Sequence, residues 1–188
     1  MKMMRAVNGA LAPEVVVRDA GYAPAGFDAR FSASAREYRY VIDTAPVPDP
    51  FRGRFVWHKE GELSVPGMRS AARPLIGEHD FASFCRHPGA GHPTVRRLER
   101  LSVRRDGDLV VFGLRANAFL HQMVRSLVGM VVAAGDGRIK PEALASILEA
   151  RDRSKARHIA PARGLTLQRV VYGERSPGSG ATDSRSSV

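Results

Sequence analysis

Thr94 to Ala116, "TVRRLERLSVRRDGDLVVFGLRA", decides the fold. Two runs rich in Val and Leu alternate with polar residues on either side of an Asp106-Gly107 dipeptide, the pattern of a β-hairpin with its turn at that dipeptide. Val95, Leu98, Leu101 and Val103 supply the apolar side chains of the first arm, with an irregularity expected between Val95 and Leu98 because the spacing departs from strict alternation. Outward from the ribbon, "EVVVRD" (14–19) and "EYRYVID" (37–43) read as strands. Ser64 followed by Pro66 predicts a helix running to about Leu75 and ended by Gly77. The apolar stretch 119–134 predicts a long helix, Pro141 opens another over 141–151, and "LTLQRVVY" (165–172) reads as a last strand. This order predicts an α+β fold, a mainly antiparallel sheet with helices packed on one face. One body should span 1–172, and the Ser/Gly-rich segment 173–188 should be a disordered tail.

The chain of 188 residues carries 29 Lys and Arg against 19 Asp and Glu, a formal net charge of +10. In 173–188 two acids, Glu174 and Asp183, offset two arginines, Arg175 and Arg185, so the body holds the whole excess. A basic body with no basic amphipathic helix flanked by aromatics points to nucleic acid before a membrane surface, with general solubility as the plain alternative. No apolar run reaches the ~20 residues of a membrane span, and the N-terminus lacks a signal-peptide core; the expectation is a cytoplasmic protein. A single cysteine, Cys85, permits no internal disulfide.

Two stretches could carry chemistry. "FDARFSASAREYRY" (27–40) interleaves Phe27, Phe31, Tyr38 and Tyr40 with Arg30, Arg36 and Arg39. Alternation sets both tyrosines on one face and Arg39 on the other, so a tyrosine could stack on a base while arginines bind phosphates; equally, either tyrosine could fill the core. In "FLHQMVRSLVGMVVAAG" (119–135) an arginine interrupts an apolar helix. Helical spacing sets His121, Arg125 and Gly129 on one stripe, with Gly129 open to close approach by backbone or ligand. Arg125 either snorkels to solvent or meets a carboxylate or phosphate, since an unpaired buried guanidinium costs several kcal/mol. Cys85 beside Arg86 and His87 lacks an ordered base, His87 and His92 lack metal spacing, and "HPGAGHP" (87–93) reads as a loop before it reads as a phosphate cradle. No Walker-type or dinucleotide fingerprint occurs, and neither metal nor cofactor is expected.

Taken together, "FDARFSASAREYRY", "LIGEHDFASF" (75–84), "TVRRLERLSV" (94–103), "LRANAFLHQMVRSLVGMVVAAG" (114–135) and "APARGLTLQRVVY" (160–172) resemble the tRNA pseudouridine synthase A (TruA) family, in order and from about Met4 to Tyr172. The resemblance implies the second half of a pseudouridine synthase fold. It also implies a homodimeric, cofactor-independent isomerase that converts uridines of the tRNA anticodon arm to pseudouridine after the base leaves its stack. It makes Tyr38 the pocket tyrosine that stacks on the uridine, Arg125 the partner of the nucleophilic aspartate, and Leu165 an apolar pocket wall. Arg30, Arg36, Arg39, Arg96 and Arg97 are then expected to bind RNA phosphates. The family's aspartate belongs to a G-R-T-D-A-G motif ahead of the F-x-A-R-F segment, and that string does not occur in this sequence. Asp19-Ala20-Gly21 imitates its end only eight residues before Phe27, and neither Asp28 nor Asp80 has a better claim. The expectation is therefore a truncated chain, inactive alone, with a non-catalytic RNA-binding module as the alternative.

Overall fold

The computed structural model describes residues 2–86 and 91–173, which fall into two compact units divided between Ser32 and Ala33. The "HPGAGHP" loop falls partly outside the described residues, and the expected tail falls outside them from Glu174 on.

In the first unit, α1 (Lys2–Leu11) has no buried residue. The strand expected over 14–19 does not form. Its three consecutive valines have a strand's composition, but among the described residues they pair with no strand; instead the Asn8 side chain donates to the Val17 carbonyl (2.9 Å) and accepts from the Val17 amide (2.7 Å). One amide side chain thus satisfies both backbone groups that a ladder would have paired. Near the end of the unit, Asp28 Oδ1 accepts from the Arg30 and Phe31 amides, and these bonds hold its carboxyl below the usual carboxylate range.

The second unit is the α+β body. Its sheet contains β1 (Ala33–Asp43), β2 (Trp57–His58), β3 (Gly77–Asp80), β4 (Val95–Asp106), β5 (Leu109–Ala116) and β6 (Leu165–Tyr172). The strand order is β2-β1-β5-β4-β3, with β6 also on β1; all pairings are antiparallel except β1 with β2. The hairpin is the centre of this sheet. Its two-residue turn is Gly107-Asp108, closed by Asp106 opposite Leu109, one residue later than the dipeptide suggested, because Gly107 (φ 58°) takes the left-handed first corner. The irregularity also sits later than expected, between Leu98 and Arg100. Leu98 and Leu101 are three apart, which would send them to opposite faces of a regular strand; the bulge absorbs one residue, and both are buried on one face with Val103. Val95, before the bulge, stays exposed.

Helices α2 (Val65–Ala72), α3 (Met123–Gly135) and α4 (Ala143–Glu149) share one core with the sheet residues Tyr40, Ile42, Val110, Phe112 and Leu114. Ser64 caps α2 by accepting from the Gly67 amide (3.1 Å). A 3-10 turn, Arg73–Leu75, then carries the chain to Gly77, whose φ of 128° ends the segment where expected. Along α3 every residue is buried except Arg125. Each large apolar side chain so covered contributes about 1.5–3 kcal/mol relative to exposure. The helix begins at Met123 rather than 119 because Gln122 adopts a left-handed φ of 63°, and a turn closed by the Met123 amide on the Leu120 carbonyl (3.0 Å) precedes it. His121 and Arg125 are thus not successive positions on a helical stripe.

Candidate active site

The cleft begins with β1. Alternation turns Tyr38, Tyr40 and Ile42 toward the helices, and depth separates the two tyrosines. Tyr40 is fully buried and donates to the Pro161 carbonyl (2.7 Å); burial pushes its phenol pKa upward. Tyr38 is half-buried, and the Phe119 ring stands edge-on to it at 5.1 Å and 86°. The question of which tyrosine fills the core is therefore answered by Tyr40, which leaves the Tyr38 ring at the opening.

Two loops complete the walls. In the first, 117–122, the Asn117 side chain accepts from the Ala118 amide (2.8 Å) and the Arg97 amide (3.0 Å). Arg36 Nη1 donates to the Asn117 carbonyl (2.7 Å), and the Arg86 amide to the His121 carbonyl (3.0 Å). In the second, 156–164, the chain runs against α3 at Gly129. A Cβ built there would lie 2.4 Å from the His158 carbonyl oxygen, so backbone, not a ligand, makes the close approach that the glycine permits. Arg125 holds the same loop twice: its Nε donates to the Ala160 carbonyl (2.7 Å), and its own carbonyl accepts from the Ala160 amide (3.0 Å). Gly164 packs against the Tyr40 ring and delivers Leu165 to the start of β6.

The result is a cavity of about 450 Å³ lined by Tyr38, Phe119, His121, Arg125, Ala162 and Leu165, with Leu120 to Val124 between. Its lining includes no aspartate or glutamate, and no described carboxylate forms an ion pair with Arg125. Arg125 therefore neither waves in water nor is clasped by an acid. Its Nε is committed to a carbonyl, and the side chain lines the cavity beside Tyr38 and Leu165. An aromatic plate, an apolar wall and a guanidinium on one opening suit a flat base attached to an anionic backbone.

The comparisons agree with this geometry. The sequence profile described as tRNA pseudouridine synthase matches residues 71–173. Proteins named tRNA pseudouridine synthase A are similar over most of the chain: 45% identity in Brevibacillus brevis, 47% in Frankia casuarinae and 40% in Bacillus subtilis. The matches cover 88, 90 and 89% of this chain.

The chain belongs to the tRNA pseudouridine synthase family.

It spans 68, 62 and 68% of the length of those three relatives. Within the synthase fold, Tyr38, Arg125 and Leu165 converge on one cavity. The five arginines expected to bind RNA do not. Arg36 and Arg96 direct Nη1 to backbone carbonyls, Asn117 and Ala33 for the first and Pro93 and Val95 for the second. Arg97 pairs with Glu99 (3.4 Å), Arg30 lies over the Phe31 ring in the first unit, and Arg39 is exposed on the opposite face of the sheet. The weaker candidates are elsewhere. Burial pushes the Cys85 thiol up in pKa, the opposite of activation. Asp19 and Asp28 accept bonds from nearby backbone amides, and Asp80, on β3, accepts from the Ala82 amide and pairs with Arg151 (3.6 Å). No group of three metal-ligating side chains occurs among the described residues. Phe119, Asn117 and Gly164 were missed by reading the sequence, because each acts through a contact distant along the chain.

Proposed function

We propose that this chain forms the uridine pocket of a cofactor-independent tRNA pseudouridine synthase. The reaction breaks the C1′–N1 bond, turns the uracil, joins C1′ to C5, loses the C5 proton to solvent and returns one proton to N1, so the base must be held while it is detached. Tyr38 stacks on the flipped uracil, Leu165 and Phe119 limit its rotation, and Arg125 holds the nucleophilic carboxylate ionised and oriented. The observation that carries this reading is the convergence of Tyr38, Arg125 and Leu165 on one cavity, with the guanidinium tied, among the described residues, to its loop through Nε alone. Its terminal nitrogens are the atoms suited to a carboxylate, which forms paired, charge-assisted bonds with such a fork. The reading brings with it tRNA as partner, a homodimer and a cytoplasmic setting, all through the family resemblance. No described helix is long and apolar enough to cross a membrane.

The reading requires a carboxylate brought to Arg125 from outside the cavity lining described above. These 188 residues, incubated alone with tRNA carrying [5-³H]uridine, are expected to release no tritium above background while still binding the tRNA. Tritium release by the chain alone would refute the requirement for a further carboxylate. In a turnover-competent form, Tyr38→Ala is expected to cost about 1–3 kcal/mol of base stacking, read as weaker capture of tRNA containing a flippable uridine. Tyr38→Phe keeps the ring and most of that affinity. Equal losses in the two variants would assign the tyrosine's contribution to its hydroxyl.

A further inference from the structure

The face of the sheet turned away from the helices carries side chains from alternate positions of four strands. Cross-strand partners set Glu37, Arg115 and Arg100 in one row, Arg39, Gly113 and Ser102 in the next, and Val41, Val111 and Arg104 in a third. Both acids at one end of this face are already engaged. Arg115 reaches Glu37 with Nη1 and Glu99 with Nε, each at 2.7 Å, and Arg97 adds a second contact to Glu99. The other end is closed by a small apolar cluster of Val41, Val56 and Val111. Between them lies a hollow of about 320 Å³ with Arg39, Arg100 and Arg104 around it. Its floor is Gly113, which has no side chain of its own and is covered only by the Ser102 hydroxyl, whose Oγ would lie 2.9 Å from an added Cβ and donates to the Gly113 carbonyl (3.3 Å).

The three arginines around the hollow are exposed. Among the described residues the side chains of Arg39 and Arg100 make no hydrogen bond or close ion pair, although the Glu37 carboxyl, held low chiefly by its Arg115 bond, is lowered further by the nearby Arg100; the Arg104 side chain has an exposed pair with Asp106 (3.0 Å) that solvent screens. Three exposed guanidinium groups around a floor of glycine and a serine hydroxyl, with the one acid in the lining, Glu37, already bonded to Arg115, match an anion that approaches closely and carries repeated charge. A second copy of the chain placed on this face by a two-fold axis would bring these same arginines toward one another. Gln168 of β6 also lines the hollow, whereas Leu165 of the same strand lines the uridine cavity on the opposite face. Among the described residues β6 pairs only with β1, so the two openings are separated by the width of one edge strand. Leu165 and Gln168 are three residues apart, about 10 Å along it.

We propose that Arg39, Arg100 and Arg104 form a phosphodiester-binding hollow on the sheet face opposite the uridine cavity, and that the tRNA backbone wraps the β6 edge to occupy both. The inference rests on the tRNA-synthase reading above. It also moves the main phosphate contacts away from Arg36, Arg96 and Arg97, whose side chains serve the protein's own carbonyls and acids.

The test uses the 188-residue chain and a 3′-fluorescent, unmodified tRNA transcript, with affinity measured by anisotropy across a salt series. Arg39→Ala/Arg100→Ala/Arg104→Ala is expected to bind on the order of tenfold more weakly at moderate salt. Its slope of log affinity against log salt should be shallower by about two, since each phosphate contact contributes roughly 0.7–0.9. Arg73→Ala/Lys140→Ala/Arg151→Ala removes the same charge from exposed positions flanking α4 and on the 3-10 turn packed against it, and should change affinity less than threefold, with the slope intact. Replacing the three face arginines by lysine should restore most of the slope, because the charge returns. Identical behaviour of the two alanine triples overturns the hollow and leaves the synthase reading standing. A wild-type chain that fails to bind the transcript overturns both. Sedimentation velocity separates the remaining case: a wild-type dimer that the face triple converts to monomer would identify this face as a protein interface and overturn the proposal.

Discussion

Arg125→Met is expected to lower turnover by a factor of about 10² to 10³ in a catalytically competent form of the protein, the range seen when one preorganised electrostatic donor is removed from an active site. tRNA affinity should change by less than threefold, because the proposed partner of the guanidinium is a carboxylate of the enzyme rather than a phosphate of the substrate. Met preserves the apolar stem of a side chain flanked by buried Val124 and Ser126, so the variant removes charge and donors more than volume. The Nε bond to the Ala160 carbonyl is lost as well. Its net contribution is about 0.5–1.5 kcal/mol, and the backbone bond between Ala160 and residue 125 remains to hold the loop. Arg125→Lys separates the two duties. A lysine keeps the charge but cannot present a planar fork while also filling the Nε position, so it should recover only part of the lost rate. Single-turnover kinetics with saturating enzyme reads the chemical step, and anisotropy reads the binding. Equal losses in rate and affinity would instead make Arg125 a phosphate ligand.

The parts of the fold that were legible in the sequence are those that local chemistry decides. The hairpin was legible because a glycine turn and apolar alternation act over a few residues, and β6 because Leu165 and Leu167 alternate with polar residues and Val170 to Tyr172 are β-branched and aromatic, although the alternation breaks at Gln168-Arg169, where its register against β1 shifts. Ser64 and Pro66 announced α2 by the cap itself. Where the reading failed, a distant contact overruled the local pattern. Val15 to Val17 have the composition of a strand, yet the Asn8 side chain satisfies Val17 in place of a ladder. Phe119 to Gln122 continue the apolar run into α3, yet the loop is pinned from Asn117, Arg36 and Arg86 and turns at Gln122. The two residues of β2 and the four of β3 are too short for any period to register. At the site, Arg125 was visible because a lone charge in an apolar helix needs a partner, and Tyr38 because of its resemblance to a known motif. The choice between Tyr38 and Tyr40 was not visible, since alternation sets both on one face and only depth distinguishes them. Arginine-rich strings indicated a polyanion but not which arginines face it. Arg36 and Arg96 have the same composition-level appearance as Arg39, and their different duties follow from carbonyls that tertiary structure brings within reach.

Gly129→Ala is expected to destabilise the protein by about 1–3 kcal/mol, the cost of forcing an added group into a packed interior. The sign is not obvious from local preference. In a helix interior alanine is favoured over glycine by about 1 kcal/mol, so a freely accommodated methyl would stabilise α3. Here the added Cβ would lie 2.4 Å from the His158 carbonyl oxygen, 2.7 Å from its carbon and 2.8 Å from the Ala160 amide nitrogen. All three are backbone atoms, which cannot rotate away as a side-chain tip can. Relief requires the 156–164 loop to lift from the helix, and that motion strains the Arg125 and Tyr40 bonds to Ala160 and Pro161. At roughly 2–4 °C per kcal/mol for a chain of this size, the melting temperature should fall by several degrees. The same motion displaces Ala162 and Leu165 from the cavity wall. Gly129→Ala should thus lower capture of uridine-containing tRNA at temperatures where the fold, followed by circular dichroism, is intact. Gly9→Ala supplies the contrast: it is also helical, its added Cβ meets nothing within 4 Å, and it should leave the uridine cavity unaffected. A melting temperature for Gly129→Ala equal to or above that of the wild type would show that the loop yields without cost, and the rigid wall on which the uridine pocket depends would not exist.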